Sequence, residues 1–586
     1  MFTHRTSFLT QIGALCGLWV LIGCGKPDVQ EIEDQQAQQP QLTFSDVTTD
    51  AGLGDFVHNS GSKGDKWYPE TVGAGGGFLD YNGDGWQDIL LVEGGTWRDQ
   101  INSTQASTSV RLYRNDADGT FTDITENAGL GDVATYAFGV TIADYDNDGD
   151  DDFFLTTLYE NLLFRNDKGR YVEVGKEAGV SDHELWSTAA IFFDADRDGW
   201  LDLFVANYVE WSPETDIWCT HNGTEKSFCG PTLYEGVRSY YYKSNGDGTF
   251  TERTVAAGFE NTPGKTLGVT SLDHNGDGWP DLAVANDTQR DLLYQNNGDG
   301  TFEEVGLFSG IAFDENGVAR AGMGIDAGDV DNNGNVSVFV ANYSEEMIGV
   351  YRYAGDGIFV NRSAASQIGR PSMTTLGFGL FLFDPNLDGY LDLFVANGHV
   401  DDMIEQIQDN VTYRQAPQLF LNKKNGTFGE AEAAGDSLLH RAIIGRGAAY
   451  ADYDRDGDQD FLIVENKGPV YLWRNDGYGG NALRIYLNGK ESNADGIGAE
   501  LLAYVAGEPQ ARRIRTGGSY LSQSERVATI GLSIHTMVDS LLVKWPSDQI
   551  DRLTEIPGGQ SILISEGQAD YQTLYAFNRS SQSGQQ

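Results

Sequence analysis

"DADRDGWLDL", Asp194 to Leu203, puts Asp at the first, third, fifth and ninth positions of a loop and Gly at the sixth. Alternating Asp residues turn successive carboxylates toward the inside of a tight reversal, and Gly at position 6 permits the sharp turn that a calcium loop needs. An EF-hand also requires Glu at position 12 and a helix on each side. Position 12 is Val205 here, and the flanking residues are strand-like, as in "LFVAN" (Leu203–Asn207). The stretch therefore reads as a calcium loop at the tip of a β-hairpin.

Close variants recur along the chain. They are "DYNGDGWQD" (Asp80–Asp88), "DYDNDGDDD" (Asp144–Asp152), "DADRDGWLD" (Asp194–Asp202), "DHNGDGWPD" (Asp273–Asp281), "DPNLDGYLD" (Asp384–Asp392) and "DYDRDGDQD" (Asp452–Asp460), with a worn copy, "DVDNNGNVS", at Asp329–Ser337. Each is preceded by a short apolar stretch with Gly, such as "AFGVTIA" (Ala137–Ala143). Each is followed by a β-branched run, a further strand and a Gly-rich turn, as in "LYQNNGDGTFEEV" (Leu293–Val305). A unit of about four short strands, repeated in this way, predicts an all-β fold: a seven-bladed β-propeller over residues 42–480. The last unit lacks its "TFxDxT" strand, and a lone copy stands at the start in "LTFSDVTTDAGL" (Leu42–Leu53). That copy is expected to complete the final blade and close the ring, which removes exposed sheet edges.

After Gly480 the loops stop and alternating segments such as "NALRIYLNG" (Asn481–Gly489) take over. They predict a smaller β-sandwich-like domain over 481–567, followed by a tail over 568–586.

The metal ligands expected from this spacing are Asp80, Asn82, Asp84 and Asp88; Asp144, Asp146, Asp148 and Asp152; Asp194, Asp196, Asp198 and Asp202; and Asp273, Asn275, Asp277 and Asp281. Further along they are Asp329, Asp331 and Asn333; Asp384, Asn386, Asp388 and Asp392; and Asp452, Asp454, Asp456 and Asp460. Acids crowded at this density repel one another unless a cation is bound, and a bare turn does not need them. Calcium, about six or seven ions, is the expected cofactor.

Composition points the same way. With 39 Lys and Arg against 87 Asp and Glu, the net charge is −48. Such a surface excludes nucleic acid as a partner, because phosphate backbones require basic residues. The N-terminus reads as an export signal over 1–23, with an apolar run at Ile12–Ile22 that is too short to span a bilayer. It ends in "LIGC", which resembles the lipobox of bacterial lipoproteins and implies lipidation of Cys24 and an outer-membrane or cell-surface location. Any membrane contact would run through that anchor alone. Residues 24–41 are Gln-rich and nearly devoid of apolar side chains, as in a disordered tether. Cys219 and Cys229, ten residues apart in an exported chain, are expected to form a disulfide. They lie in an insertion over 208–240 that is expected to cover one face of the propeller.

The repeats resemble FG-GAP/VCBS proteins, with Phe138-Gly139 and Phe378-Gly379 ahead of their metal loops. "SNADGIGAEL" (Ser492–Leu501), "RTGGSYLSQSE" (Arg515–Glu525) and "LLVKWPSDQIDRL" (Leu541–Leu553) resemble the ASPIC/UnbV domain. The combination is similar to bacterial relatives of cartilage acidic protein, and the resemblance implies a binding or adhesive role with no defined reaction.

On the face opposite the metal loops, Asn207, Asn286, Asp287, Asn342, Asn397, His399 and Asp401 form a candidate ligand surface for an extracellular protein or glycan. Strand-end capping by the Asn side chains is the competing reading. An alternative function is a propeller enzyme, a quinone-dependent dehydrogenase or a lyase, with its site on that face. The sequence shows no nucleophile elbow, HExxH motif or phosphate loop, so no catalytic residue is assigned.

Overall fold

The computed structural model describes residues 42–100, 108–259, 263–431, 438–477 and 480–577; the expected leader, Cys24 and the tether lie outside them. Among those residues no helix is long and apolar enough to cross a membrane. Strands dominate, and the two α-helices, Gly175–Ala178 and Gly306–Ser309, are single turns.

Residues 42–477 form seven four-stranded antiparallel sheets. In six of them four consecutive strands follow one another, as in Ser187–Phe193, Asp202–Asn207, Tyr240–Ser244 and Phe250–Glu252. The seventh takes its outer strand from the other end of the chain: Phe44–Asp46 pairs antiparallel with Val470–Asn475, Phe44 opposite Asn475. The first strand of each sheet packs on the first strand of the next. The series runs from Gly76–Leu79 through Ala137–Ala143, Ser187–Phe193, Thr266–Leu272, Gly322–Gly328, Gly377–Phe383 and Gly445–Ala451, and so back to Gly76–Leu79. The sheets thus close into a propeller-like ring. Facing sheets bury aromatic and branched side chains between them; Ile191, Phe193, Phe204 and Tyr241 pack on Val269, Leu282, Tyr294 and Phe302 in this way.

The first strands are buried along nearly their whole length because they are covered on every side, including the side that faces the ring axis, and the purely apolar run Gly377–Phe383 is one of them. What covers that side is the C-terminal domain. It consists of two four-stranded sheets, in the orders 528–533, 481–488, 560–565, 572–576 and 508–513, 500–505, 537–544, 550–557. The strand Gln572–Ala576 extends this domain beyond the expected boundary at 567, because it pairs with Gln560–Ser565. The segment 515–525 leaves the domain and enters the ring. Leu521 O accepts the Val140 N–H, Ser519 O accepts the Ile325 N–H, and Gln523 O accepts the Phe78 N–H. Backbone groups on the inner edges of the first strands, which would otherwise need water, are satisfied by this plug.

Its passage explains two glycines. A Cβ at Gly75 would lie 1.8 Å from Leu521 O, and one at Gly139 would lie 2.9 Å from Leu521 Cα. At the tip Tyr520 is fully buried; its ring meets Phe378 edge-on at 4.9 Å and its hydroxyl donates to Val72 O.

Candidate metal centres

Each acidic loop joins the first two strands of its sheet, and the positions divide the work. The first Asp caps the turn: Asp80 accepts the N–H groups of Asp84 and Gly85, and Asp194 those of Asp198 and Gly199. The fifth braces the exit, as Asp84 Oδ1 accepts the Trp86 N–H. The ninth is buried and ties two strands together. Asp88 accepts from Tyr81 N–H and Asn115 N–H, and Asp152 accepts from Tyr145 N–H and Asn166 N–H. Four more loops repeat the third-strand contact, with Asp202, Asp281, Asp392 and Asp460 accepting from Ser244, Asn296, Asn422 and Asn475.

These bonds still leave carboxylate oxygens turned inward. Atoms of Asp144, Asp146 and Asp152 and of Asp452, Asp454 and Asp460 lie within 4.8 Å of one another, as do those of Asp194, Asp196 and Asp198, where Lys243 Nζ already bonds Asp196 and Asp198. Asp146 Oδ1, Asp392 Oδ2 and Asp458 Oδ1 are buried without a hydrogen-bond partner. Burial, together with the neighbouring carboxylates, pushes Asp88 and Asp144 up to about 8 and Asp454 up to about 7. An oxygen-only donor set with orphaned buried oxygens and excess negative charge fits a hard divalent cation. The loops of the first, fourth and sixth sheets substitute Asn82, Asn275 and Asn386 at position 3, which supplies a neutral oxygen. The worn loop keeps Asp329, Asp331 and Asn333 but has Ser337 at position 9.

Sequence reasoning missed the third-strand Asn residues. Asn115, Asn166, Asn296, Asn422 and Asn475 donate through Nδ2 to Tyr453 O, Tyr81 O, Ala195 O, Val330 O and Pro385 O, each in the metal loop of the preceding sheet. They couple the loops around the ring. Their signal was the recurrence of "RND" in "LYRND", "LFRND" and "LWRND".

The C-terminal domain sits on the metal-loop face. Arg526 pairs with Asp151, Arg515 with Asp326, and Arg484 lies 3.1 Å from Asp452 while binding Glu525 at 2.5 Å. Asp495 accepts the Asp144 N–H, and Ala494 N–H donates to Asn147. None of these partners was recognisable from sequence, because each pair joins residues more than 30 positions apart in the chain.

On the opposite face the expected ligand residues are inside the protein. Asn207, Asn286, Asn342 and Asn397 are buried, and each donates through Nδ2 to a carbonyl at or before the next strand: Arg238 O, Arg290 O, Met347 O and Ala416 O. His399 is fully buried, accepts the Asp401 N–H at Nδ1, and is lowered to about 4 by burial, so it is neutral. Asp287 accepts from the Tyr208 hydroxyl, and burial raises it to about 7.

Over them lies the 208–240 segment with its Cys219–Cys229 disulfide. It reaches across to the sixth sheet, where His221 Nε2 meets Asp401 Oδ2 at 2.6 Å. Its Trp211 joins Trp67, Trp97 and Trp186 in an aromatic cluster that also contains Tyr208, Tyr234 and the plug residue Tyr520. Trp218, beside the disulfide, is 66% exposed.

Comparison with known proteins agrees with this anatomy. A family model described as "FG-GAP-like repeat" matches residues 80–155, 144–205, 273–340 and 384–463, and "ASPIC and UnbV" matches 489–570. Cartilage acidic protein 1 of Xenopus tropicalis is 25% identical over 440 residues, 71% of this chain and 62% of that protein. The Homo sapiens protein is 23% identical over 438 residues, 71% of this chain and 60% of its own length. The chain therefore spans about six tenths of the length of these two relatives. Among solved structures, an Agrocybe aegerita lectin that recognises non-reducing terminal N-acetylglucosamine gives a TM-score of 0.38 at 17% identity, covering 67% of this chain and 85% of the lectin. A Bacillus licheniformis rhamnogalacturonan lyase gives 0.33 at 13%, covering 70% and 73%. Likenesses at this level carry no functional argument. With repeats and C-terminal domain both matched, the chain belongs to the FG-GAP-like repeat proteins that carry an ASPIC and UnbV domain, and it is homologous to cartilage acidic protein 1.

Proposed function

We propose that the protein is an exported, lipid-anchored, calcium-binding module that engages an extracellular protein or glycan at the bacterial outer membrane or cell surface. The observation that carries the calcium reading is the pair of inward-facing carboxylate clusters in the second and seventh loops, with Asp146 Oδ1 and Asp458 Oδ1 buried there without partners. Calcium there neutralises the loops and fixes the hairpin tips on which the C-terminal domain rests. With that domain on the metal-loop face and its plug in the ring, the binding surface is assigned to the opposite face. There the disulfide-stapled segment presents exposed Trp218, and not the buried Asn and His side chains beneath it.

Two measurements test the reading. Purified mature protein is expected to retain calcium by elemental analysis and to melt lower in chelator; protein free of metal, with unchanged melting, sinks the calcium assignment. A glycan and protein array is then probed with wild type and Trp218→Ala. Retained binding by the folded variant removes this face as the recognition surface.

A further inference from the structure

The seven loops are not equivalent, and the third strand of each sheet shows why. The residue opposite loop position 9 is Arg114, Arg165, Lys243, Gln295, Arg352, Leu421 and Arg474 in successive sheets. In the first, second and seventh sheets the Arg is drawn away by an Asp two residues on. Arg114 binds Asp116 at 2.9 Å through Nε, Arg165 binds Asp167 at 2.9 Å, and Arg474 binds Asp476 at 2.7 Å through Nη2. The fourth and sixth sheets have no basic residue at this position.

The third and fifth sheets have the cation without the diverting Asp: Asn245 and Ala354 stand in its place. Lys243 Nζ turns into its loop and lies 2.8 Å from Asp196, 2.6 Å from Asp198 and 3.6 Å from Asp202, loop positions 3, 5 and 9. Arg352 Nη2 takes both oxygens of Asp331, at 2.6 Å each.

Resting on the calcium reading of the remaining loops, we propose that Lys243 and Arg352 are built-in counter-ions that hold the third and fifth loops without calcium. A tethered ammonium on positions 3, 5 and 9 occupies the oxygens that a calcium ion would need, and the ion can enter only by expelling it. In the fifth loop Asn333 and Ser337 further reduce the charge available. Other cations near the loops touch position 1 or a single carboxylate: Arg512 lies 3.9 Å from Asp384 and donates to Gly389 O. Lys424 touches only Asp388 of its loop, at 3.2 Å, and its side chain is 45% exposed. Arg484 near Asp452 is answered by both oxygens of Glu525.

The test is calcium titration of the full mature chain by calorimetry, with bound metal counted after desalting. Wild type is expected to bind about five ions, Lys243→Met about six, and Gln295→Lys, which places an ammonium in the fourth loop, about four. In chelator Lys243→Met melts below wild type, and excess calcium closes the difference. Wild type and Lys243→Met binding the same number overturns this proposal alone, as does an unchanged count in Gln295→Lys. Wild type binding no calcium brings down the calcium reading beneath it as well.

Discussion

If the loops hold calcium as proposed, its removal is expected to give this protein a pH response whose sign the loops set. Asp88 is buried, and burial with its neighbours holds its carboxyl at about 8 in the metal-free folded state. An unfolded Asp titrates near about 4. Between those values the folded chain keeps a proton that the unfolded chain has released, so stability falls as pH rises. The slope is about 1.4 kcal/mol per pH unit for one such group, or about 3 kcal/mol between about pH 5 and about pH 7. Asp144, also raised to about 8, acts in the same direction. Bound calcium is expected to reverse this, because it would ligate the ionised carboxylates and compete with protons for them. At a hundredfold excess over Kd each site adds about 2.7 kcal/mol. The assay is thermal melting at fixed scan rate across this range, in calcium and in chelator. In chelator Tm is expected to fall with pH, and the gap to the calcium curve is expected to widen. A chelated Tm that is flat or climbs with pH refutes the reasoning.

The remaining predictions concern the plug and its anchor. Tyr520→Ala empties a fully buried site and is expected to cost about 3–5 kcal/mol in denaturant or thermal unfolding, with earlier loss of the C-terminal domain's protection in hydrogen exchange. Arg484→Met leaves Glu525 buried and unpaired beside Asp452, with an expected cost of about 3–5 kcal/mol; Arg484→Met combined with Glu525→Leu is expected to recover much of it in the same assay.

Much of the architecture was written in short stretches. The loop spacing, the flanking β-branched runs and the displaced "LTFSD" strand are local patterns, and the ring they imply is the one observed, including the pairing of that first strand with the last sheet. The disulfide and the change of pattern after Gly480 were equally legible. Turn chemistry and strand alternation act over a few residues, so a sequence displays them directly.

Long-range placement was not legible. Asn397 has the chemistry of a ligand residue and of a strand cap, and only burial at the sheet end assigns its Nδ2 to Ala416 O. Arg165 and Lys243 occupy the same place in their sheets, yet one bonds the carboxylate two residues on and the other, which has none there, bonds the carboxylates of its loop. "RTGGSYLSQSE" carries no sign that it fills the ring; its small residues fit because inner-strand backbones meet it at van der Waals distance. The sequence by itself determined which units form and where their acidic turns fall, since those are set by neighbouring residues. The tertiary structure alone decided which loop oxygens a neighbouring strand's cation occupies and which face the C-terminal domain covers, since both follow from contacts between strands and domains and not from the order of residues within a turn.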